Sequence, residues 1–513
     1  MRFPFRPVSS LFLILPDSEF AEYCIEAHKL VEREPEILRR IDEDLDHHAR
    51  EKKRLRILDK RWEEKRQGTF PTMEISEEEV DAEELNLGIG RPRMSAYVVY
   101  MFMMGRGYYG GIKGSAGDVF TSESMTLRIF LENQGLTMPG ANSIYDNINA
   151  VSNTTREYIL DAQIRKIIDE RLDDFKELTF DSTAVSGNVS WPRDSVIMSQ
   201  LLRRAYRRGK NLHKFEMPDI KTRYFPVLLK DIQSLSNKIN MESGKPKSAQ
   251  KRKKDYKKLI IQVEKALKLF DQEIMHIEKE VKNVVIKPSC YSRLVRLVEM
   301  IKEDVGNVKK VKEYCHKRIF NNLSTPSKDK ILSVSDKDVS YIQKGNREAK
   351  IGYKPQIGRS KKGFITCMKV PRGNASDSGQ LPEMIDDSIK RTSVIPDVIS
   401  ADDGYVNGSV RKKYIEKGVK VFSFSGAKGK KVISEEDWET EEYRKARNDR
   451  SAIESLMYTI KYGFDFGHVM RRGLENVRAE LLEKVLSYNF CRIIEIRKRK
   501  EKPLLKTGWC SKT

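Results

Sequence analysis

Cysteine is scarce in this chain of 513 residues, and the six present are scattered: Cys24, Cys290, Cys315, Cys367, Cys491 and Cys510. None forms a Cys-x-x-Cys pair. That excludes a disulfide framework and a thiolate zinc site, and it predicts a reducing, cytoplasmic compartment. Long apolar runs are also missing. The run Leu11–Leu15 is cut off by Pro16-Asp17 and is too short for the core of a signal sequence. No later run approaches the roughly 20 residues of a membrane span, so the expectation is a soluble protein with no membrane partner. Histidine is sparse too, with seven in all. The adjacent pair His47-His48 falls in a charged helix, where neighbours do not share a face, so it reads as solvated surface.

Charge is what the chain has in quantity. It carries 96 Lys+Arg against 75 Asp+Glu, a net charge of +21 and a pI near 9.4. The hydrophobic share, 39%, is too high for a disordered chain, and the mean hydropathy of −0.58 is too low for a multi-span membrane protein. An excess of positive charge on this scale points to polyanions, nucleic acid first. The length suggests about three domains.

The chain reads as a helical N-terminal region, then strands, then a long helical block, then strands again. Residues 1–84 form a charged helical region and linker. Residues 85–175 form a helical domain suited to reading DNA ends, with a helix over 122–136 capped by Ser122 and one or two helices over 142–172. A first core segment, 176–210, opens on the strand Glu177-Leu-Thr-Phe-Asp-Ser. Residues 211–330 are helical and basic, holding about +13 of the +21. Their densest part is Lys251-Arg252-Lys253-Lys254-Asp-Tyr-Lys-Lys258, which reads as a phosphate-tracking surface. A second core segment spans 331–500. It predicts a hairpin of Lys350–Gly358 with Gly363–Val370, a helix within Asp377–Thr392 that starts after Pro382, a strand at Pro396–Ala401 and another at Val419–Phe424. A basic tail, 501–513, closes the chain. Strands on both sides of a helical block predict an α/β core interrupted by an insertion.

Three carboxylates stand out by position. Asp181 lies inside an apolar strand, Asp402 at the carboxyl end of another, and Glu454 on a helix. A carboxylate in a buried strand is costly without a partner or a metal, and ligands of open α/β sheets gather at the carboxyl ends of strands. Three hard oxygen ligands suit Mg²⁺ or Mn²⁺, and a pair of such ions can clamp the attacking and leaving oxygens of phosphoryl transfer.

Four segments in order carry a family resemblance. Phe180-Asp181-Ser-Thr-Ala-Val is followed by Asn188-Val-Ser-Trp-Pro-Arg-Asp194. Asp338-Val-Ser-Tyr-Ile-Gln-Lys344-Gly leads into Ile351-Gly-Tyr-Lys354. Ser-Ala-Asp402-Asp-Gly-Tyr405 gives A-D-x-G-Y. Arg450-Ser-Ala-Ile-Glu454, with Lys461 seven residues on, gives R-x-x-x-E-x-x-x-x-x-x-K. Over about residues 140–500 the chain resembles the bacterial insertion-sequence DDE transposases, which have a ribonuclease-H-like catalytic core. Ser340 stands where that family often has Arg, and Arg447 where its fuller motif has Tyr. The closing Asn489-Phe-Cys-Arg492 is similar to the family's N-φ-x-R helix.

The resemblance implies a ribonuclease-H-like mixed sheet core interrupted by a long helical insertion and preceded by a helical N-terminal region. It also implies metal-dependent DNA cleavage and strand transfer, with Asp181, Asp402 and Glu454 holding two Mg²⁺ or Mn²⁺ ions. Asp403 is the alternative to Asp402. Arg450, Lys461, Lys344, Lys354 and the cluster Lys251, Arg252, Lys253 and Lys254 are the expected DNA contacts. The partners would be terminal inverted repeats and target DNA, met by at least a homodimer on DNA, in the cytoplasm at the nucleoid. Two other readings are a nuclease that cuts without joining and a non-catalytic DNA-binding derivative. The presence of all three carboxylates argues against the second.

Overall fold

The computed structural model describes residues 18–67, 94–110, 124–215, 217, 224–246, 248–343 and 348–501. The chain divides into two compact units. One comprises Met1–Asp46, Arg91–Asn188 and Ile342–Thr513; the other comprises His47–Gly90 and Val189–Tyr341.

The first unit begins with helix α1 (Glu19–Arg33) and the first part of α2 (Glu36–Gln67), followed by α3 (Ala96–Tyr108), α4 (Met125–Asn133), α5 (Ala141–Ala150) and α6 (Asn153–Asp169). The sequence places the cap of α4 at Ser122, which lies outside the described residues. The residue that caps it is Ser124, whose hydroxyl accepts from the Leu127 N–H. The region expected as one or two helices is two, broken at Val151-Ser152, and Ser152 caps the second by accepting from the Thr155 N–H.

The sheet follows: β1 (Glu177–Ser182), β2 (Val185–Ser186) and, after the inserted helices, β3 (Ser340–Ile342), β4 (Lys350–Tyr353), β5 (Gln356–Ser360) and β6 (Ile365–Lys369). Then come α11 (Asp377–Thr392), β7 (Val398–Ala401), α12 (Gly408–Glu416) and β8 (Val421–Phe424). The main sheet has the order β6-β5-β1-β7-β8. β1 pairs antiparallel with β5 and parallel with β7, and β7 pairs parallel with β8. This mixed five-stranded sheet, with helices before and after it, is consistent with the expected ribonuclease-H-like core. Leu178, Phe180, Ile399, Ala401, Phe422 and Phe424 bury one face against Leu381, Met384 and Ile385 of α11 and Tyr414 of α12.

Two local expectations are corrected. The hairpin consists of β5 and β6 only; β4 pairs with β2 in a separate small sheet. Pro355 stands between β4 and β5 and has no N–H for a ladder. The helix fills the whole expected stretch, Asp377–Thr392, and contains Pro382 instead of starting after it. Pro382 lies in its second turn, and its carbonyl accepts from the Tyr414 hydroxyl at 3.0 Å. Beyond β8 run short helices α13 (Ala427–Val432), α14 (Glu435–Glu439) and α15 (Glu441–Asp449). After them come α16 (Ala452–Gly463) and the long α17 (Leu474–Glu501).

The second unit is the helical insertion: α7 (Asp194–Lys210), α8 (Phe225–Met241), α9 (Ala249–Val281) and α10 (Pro288–Phe320). In α9 the buried residues Tyr256, Leu259, Val263, Ala266, Leu267 and Phe270 recur at three- and four-residue spacing, one apolar stripe of a 3.6-residue helix. They pack with Leu201, Ile232, Ile301, Val305 and Val308 in a core of the unit's own. Lys309–Asp271 at 2.7 Å and Lys312–Glu264 at 3.0 Å lace the outer faces of α9 and α10.

Candidate active site

The register of β1 and β7 decides where two of the three carboxylates stand. Phe180 lies opposite Ala401, so Asp181 and Asp402 follow at equivalent positions on neighbouring strands. Side chains alternate along a strand. Phe180 and Ala401 point into the apolar core, while Thr179 and Ser400 take the other face, their hydroxyl oxygens 3.0 Å apart. Asp181 and Asp402 continue that polar row, and the backbone at Asp402 is still extended (φ −81°, ψ 175°). Adjacent strands lie about 4.8 Å apart. Two like charges so placed disfavour each other, and a cation between them removes the penalty.

Asp403 does something different. Its carboxylate accepts from the backbone N–H of Lys428 at 3.1 Å and of Gly429 at 2.9 Å, so both oxygens hold the start of α13. Gly426, at φ +98°, lies against the same carboxylate, and a Cβ there would come within 2.5 Å of it. Asp402 instead accepts from the Gly404 N–H at 2.8 Å through Oδ1 only.

Glu454 sits in the first turn of α16, where the helix dipole favours a carboxylate, and α16 packs against β1. Asp181, Asp402, Glu454, Arg450 and Lys461 all line one cleft of about 840 Å³. The chain thus brings together five of the expected site residues from β1, the end of β7, α16 and the turn before it. The Arg450 guanidinium donates to Glu454 at 3.0 Å, with the Glu454 side chain 64% exposed.

The donor set suits a divalent cation: hard carboxylate oxygens at the carboxyl end of parallel strands. Among the described residues, however, no group of three or more His, Cys, Asp or Glu side chains is arranged to hold a metal ion. The two aspartates are neighbours by register, and the Glu454 carboxylate is engaged with Arg450. An exposed i,i+4 pair of this kind contributes about 0–1 kcal/mol, so releasing Glu454 costs little.

The other expected contacts lie elsewhere. Lys344 falls outside the described residues. Lys354 is buried, 2.9 Å from Asp377. Asp377 also accepts from the Gln356 amide at 2.8 Å, and Gln356 accepts from the buried Tyr405 hydroxyl. Burial, and then the Asp377 and Asp181 charges, push the Tyr405 phenol well above its ordinary range. Lys354 therefore anchors a buried network reaching the Asp402 turn. Arg447, at the family's tyrosine position, stacks its guanidinium 4.0 Å over the Trp438 ring. Lys251, Arg252, Lys253 and Lys254 belong to the first turns of α9 in the insertion unit. Lys251 is held by Glu242 at 2.6 Å.

Sequence reasoning missed Gln356 and Asp377, which carry no motif signal, and the tyrosine pair on α16. Tyr458 and Tyr462 line the same cleft, 67% and 75% exposed, with ring centroids 4.5 Å apart. Their spacing of four and eight residues from Glu454 was readable as one helical face.

The closing motif proves structural. The Asn489 side chain accepts from the Ile365 N–H at 2.9 Å and donates to the Ile365 carbonyl at 3.0 Å, supplying backbone-like bonds along the edge strand β6. Arg492 donates to the Lys362 carbonyl in the β5–β6 turn at 2.6 and 2.7 Å.

Residues 320–490 match the family model described as the transposase DDE domain. No curated protein and no solved structure matches the chain. The matched stretch contains Asp402, Glu454, Arg450 and Lys461 and takes in β3 to β8, whereas Asp181 comes before it. Over this segment the chain is similar to the transposase DDE domain.

Proposed function

We propose that the chain cuts DNA at the ends of an insertion sequence and joins those ends to target DNA. Asp181, Asp402 and Glu454 would be its catalytic carboxylates. The observation that carries this reading is the register pairing that sets Asp181 beside Asp402, on the cleft that Glu454 also lines. Asp181 and Asp402 would hold Mg²⁺ or Mn²⁺, with Glu454 as the third ligand once it leaves Arg450. Two such ions, when bound, supply Lewis-acid stabilisation of the attacking and leaving oxygens. Arg450, freed in the same exchange, and Lys461 would hold phosphate oxygens beside the scissile bond. Water would attack the phosphodiester and release a 3′-hydroxyl, which would then attack a target phosphodiester. Neither step requires a covalent protein–DNA bond, so no Ser or Tyr nucleophile is needed.

The basic start of α9, Lys251–Lys254, would track phosphates without reading sequence. The helical region 85–175 would read the terminal repeats. Joining two ends requires at least a dimer on DNA, and the working place would be the nucleoid.

The test pairs purified protein with DNA carrying the inverted repeats that flank its gene, in Mg²⁺. Joined products are expected. Cleavage without joining would select the nuclease reading, and neither activity in wild type would leave a DNA-binding derivative. Asp181→Asn, Asp402→Asn and Glu454→Gln should each lower cleavage more than about a hundredfold, since losing even an outer-shell partner of a metal ligand costs about 10–100-fold.

A further inference from the structure

A row of buried polar side chains runs through the sheet unit without lining the cleft. It starts at Lys354, just after β4, whose ammonium lies 2.9 Å from the Asp377 carboxylate and donates to the Ala375 carbonyl at 3.3 Å. Asp377, the first residue of α11, accepts from the Gln356 amide at 2.8 Å. The Gln356 carbonyl in turn accepts from the Tyr405 hydroxyl. Gln356 and Tyr405 are fully buried, where a polar group left without a partner is costly. The direction of every bond is dictated by charge. A carboxylate only accepts and an ammonium only donates, so the Gln356 NH₂ must face Asp377 and its oxygen must face Tyr405. Turning the amide over would set oxygen against oxygen at Asp377.

The row reaches both candidate aspartates. Gln356 stands opposite Ser182, the residue after Asp181, in the β1–β5 pair. Tyr405 closes the tight turn that begins at Asp402: its N–H donates to the Asp402 carbonyl at 3.1 Å, and the Gly404 N–H donates to Asp402 Oδ1 at 2.8 Å. Gly404 passes between two carboxylates, since a Cβ there would lie 3.0 Å from Asp402 Oδ1 and 3.1 Å from Asp377 Oδ2. The turn that carries one aspartate is therefore tied to the strand paired with the other. Ligands must be held to within about 0.5 Å for a site to work, and the residues behind them do the holding. We propose that Tyr405, Gln356 and Asp377, anchored by Lys354, are positioning residues that hold Asp402 against Asp181 and so set the affinity of the cleft for a divalent cation without touching the ion. The inference rests on the reading of Asp181 and Asp402 as cation ligands, but not on whether the chain cuts or joins DNA.

The test measures Mn²⁺ binding to the full chain by electron paramagnetic resonance, at a temperature where melting by circular dichroism shows every variant folded. Tyr405→Phe removes one hydroxyl and keeps the buried ring. It should weaken Mn²⁺ binding about tenfold, the low end of the 10–100-fold loss for an outer partner of a metal ligand. Gln356→Met should do the same. The double variant should be no weaker than either single one, because both changes break the same bond and their effects do not add. Asn489→Ala, which loses hydrogen bonds at the edge strand β6, controls for stability alone and should bind Mn²⁺ as wild type does. Wild-type affinity in Tyr405→Phe would overturn the proposal. So would additive losses in the double variant, or an equal loss in Asn489→Ala, which would mean that affinity only follows stability. A wild type that binds no Mn²⁺, or an Asp402→Asn chain that binds it normally, would overturn this inference together with the site it rests on. Tyr405-dependent Mn²⁺ binding in a wild type that cuts no DNA would sink the catalytic reading and leave this one standing.

Discussion

Asp402 and Asp403 are chemically identical neighbours that backbone geometry sends to different tasks. The first continues the extended strand and lines the cleft with Asp181. The second turns both oxygens onto backbone donors at the start of α13. Asp403→Ala should therefore cost about 1 kcal/mol of stability, the loss of a helix cap, read as a lower denaturant midpoint, with metal binding unchanged. Glu483 is a second residue whose surroundings set its behaviour. It is buried among Arg106, Arg156 and Arg471 at 2.6, 2.8 and 3.2 Å. Burial works to raise its carboxyl, but the three guanidiniums outweigh it and hold the group at about 2, against 4.5 for a free glutamate. A depressed folded-state value stabilises above the unfolded value and loses that contribution as pH falls. Stability from this cluster should thus be complete above about pH 4.5 and disappear toward pH 2. Urea unfolding at stepped pH measures it. Glu483→Gln should cost about 3–5 kcal/mol, because it leaves buried guanidiniums without their counter-charge, and should flatten that part of the pH profile.

At the scale of elements, the edge strand β6 is finished by a side chain. Asn489→Ala removes two hydrogen bonds to Ile365 and should lower stability by about 2 kcal/mol at roughly 1 kcal/mol per bond. Asn489→Asp should be worse, since a carboxylate cannot donate to the Ile365 carbonyl. Both would show as faster hydrogen exchange in β5 and β6. The strand carrying Asp181 was legible in sequence because Leu178, Phe180 and the acid alternate with period two. The hairpin was only half legible. Lys350–Tyr353 shares its Ile-Gly pair with β5, and nothing in its residues says that Gly352 must meet β2. A Cβ at Gly352 would lie 2.0 Å from the Val185 carbonyl oxygen. The start of α11 was misplaced because Pro382 was read as a boundary, whereas the helix accommodates it. The partners of Tyr405 were invisible for another reason. Gln356 and Asp377 meet it through tertiary contacts that no local pattern encodes.

At the scale of the molecule, the positive charge is concentrated in the inserted helices, and the three carboxylates proposed as ligands belong to the sheet unit. The order of strands, insertion and strands was legible because composition shifts sharply at the block. The partner choices of its lysines were not, and several are engaged in ion pairs such as Lys309–Asp271. Replacing Lys251, Arg252, Lys253 and Lys254 together with alanine should weaken binding to any duplex sequence alike. The slope of log affinity against log salt should become shallower by about 0.9 for each DNA phosphate that the variant no longer neutralises. A sequence-dependent loss would contradict the phosphate-track reading.

The central claim is that Asp181, Asp402 and Glu454 form one divalent-cation site while Asp403 stands outside it. Titration of Mn²⁺ into the full chain, followed by electron paramagnetic resonance, tests it without knowledge of the DNA ends. Wild type and Asp403→Asn should bind Mn²⁺ alike, and Asp181→Asn and Asp402→Asn should each lose that binding. Wild-type Mn²⁺ affinity in Asp402→Asn, or its loss only in Asp403→Asn, would contradict the account.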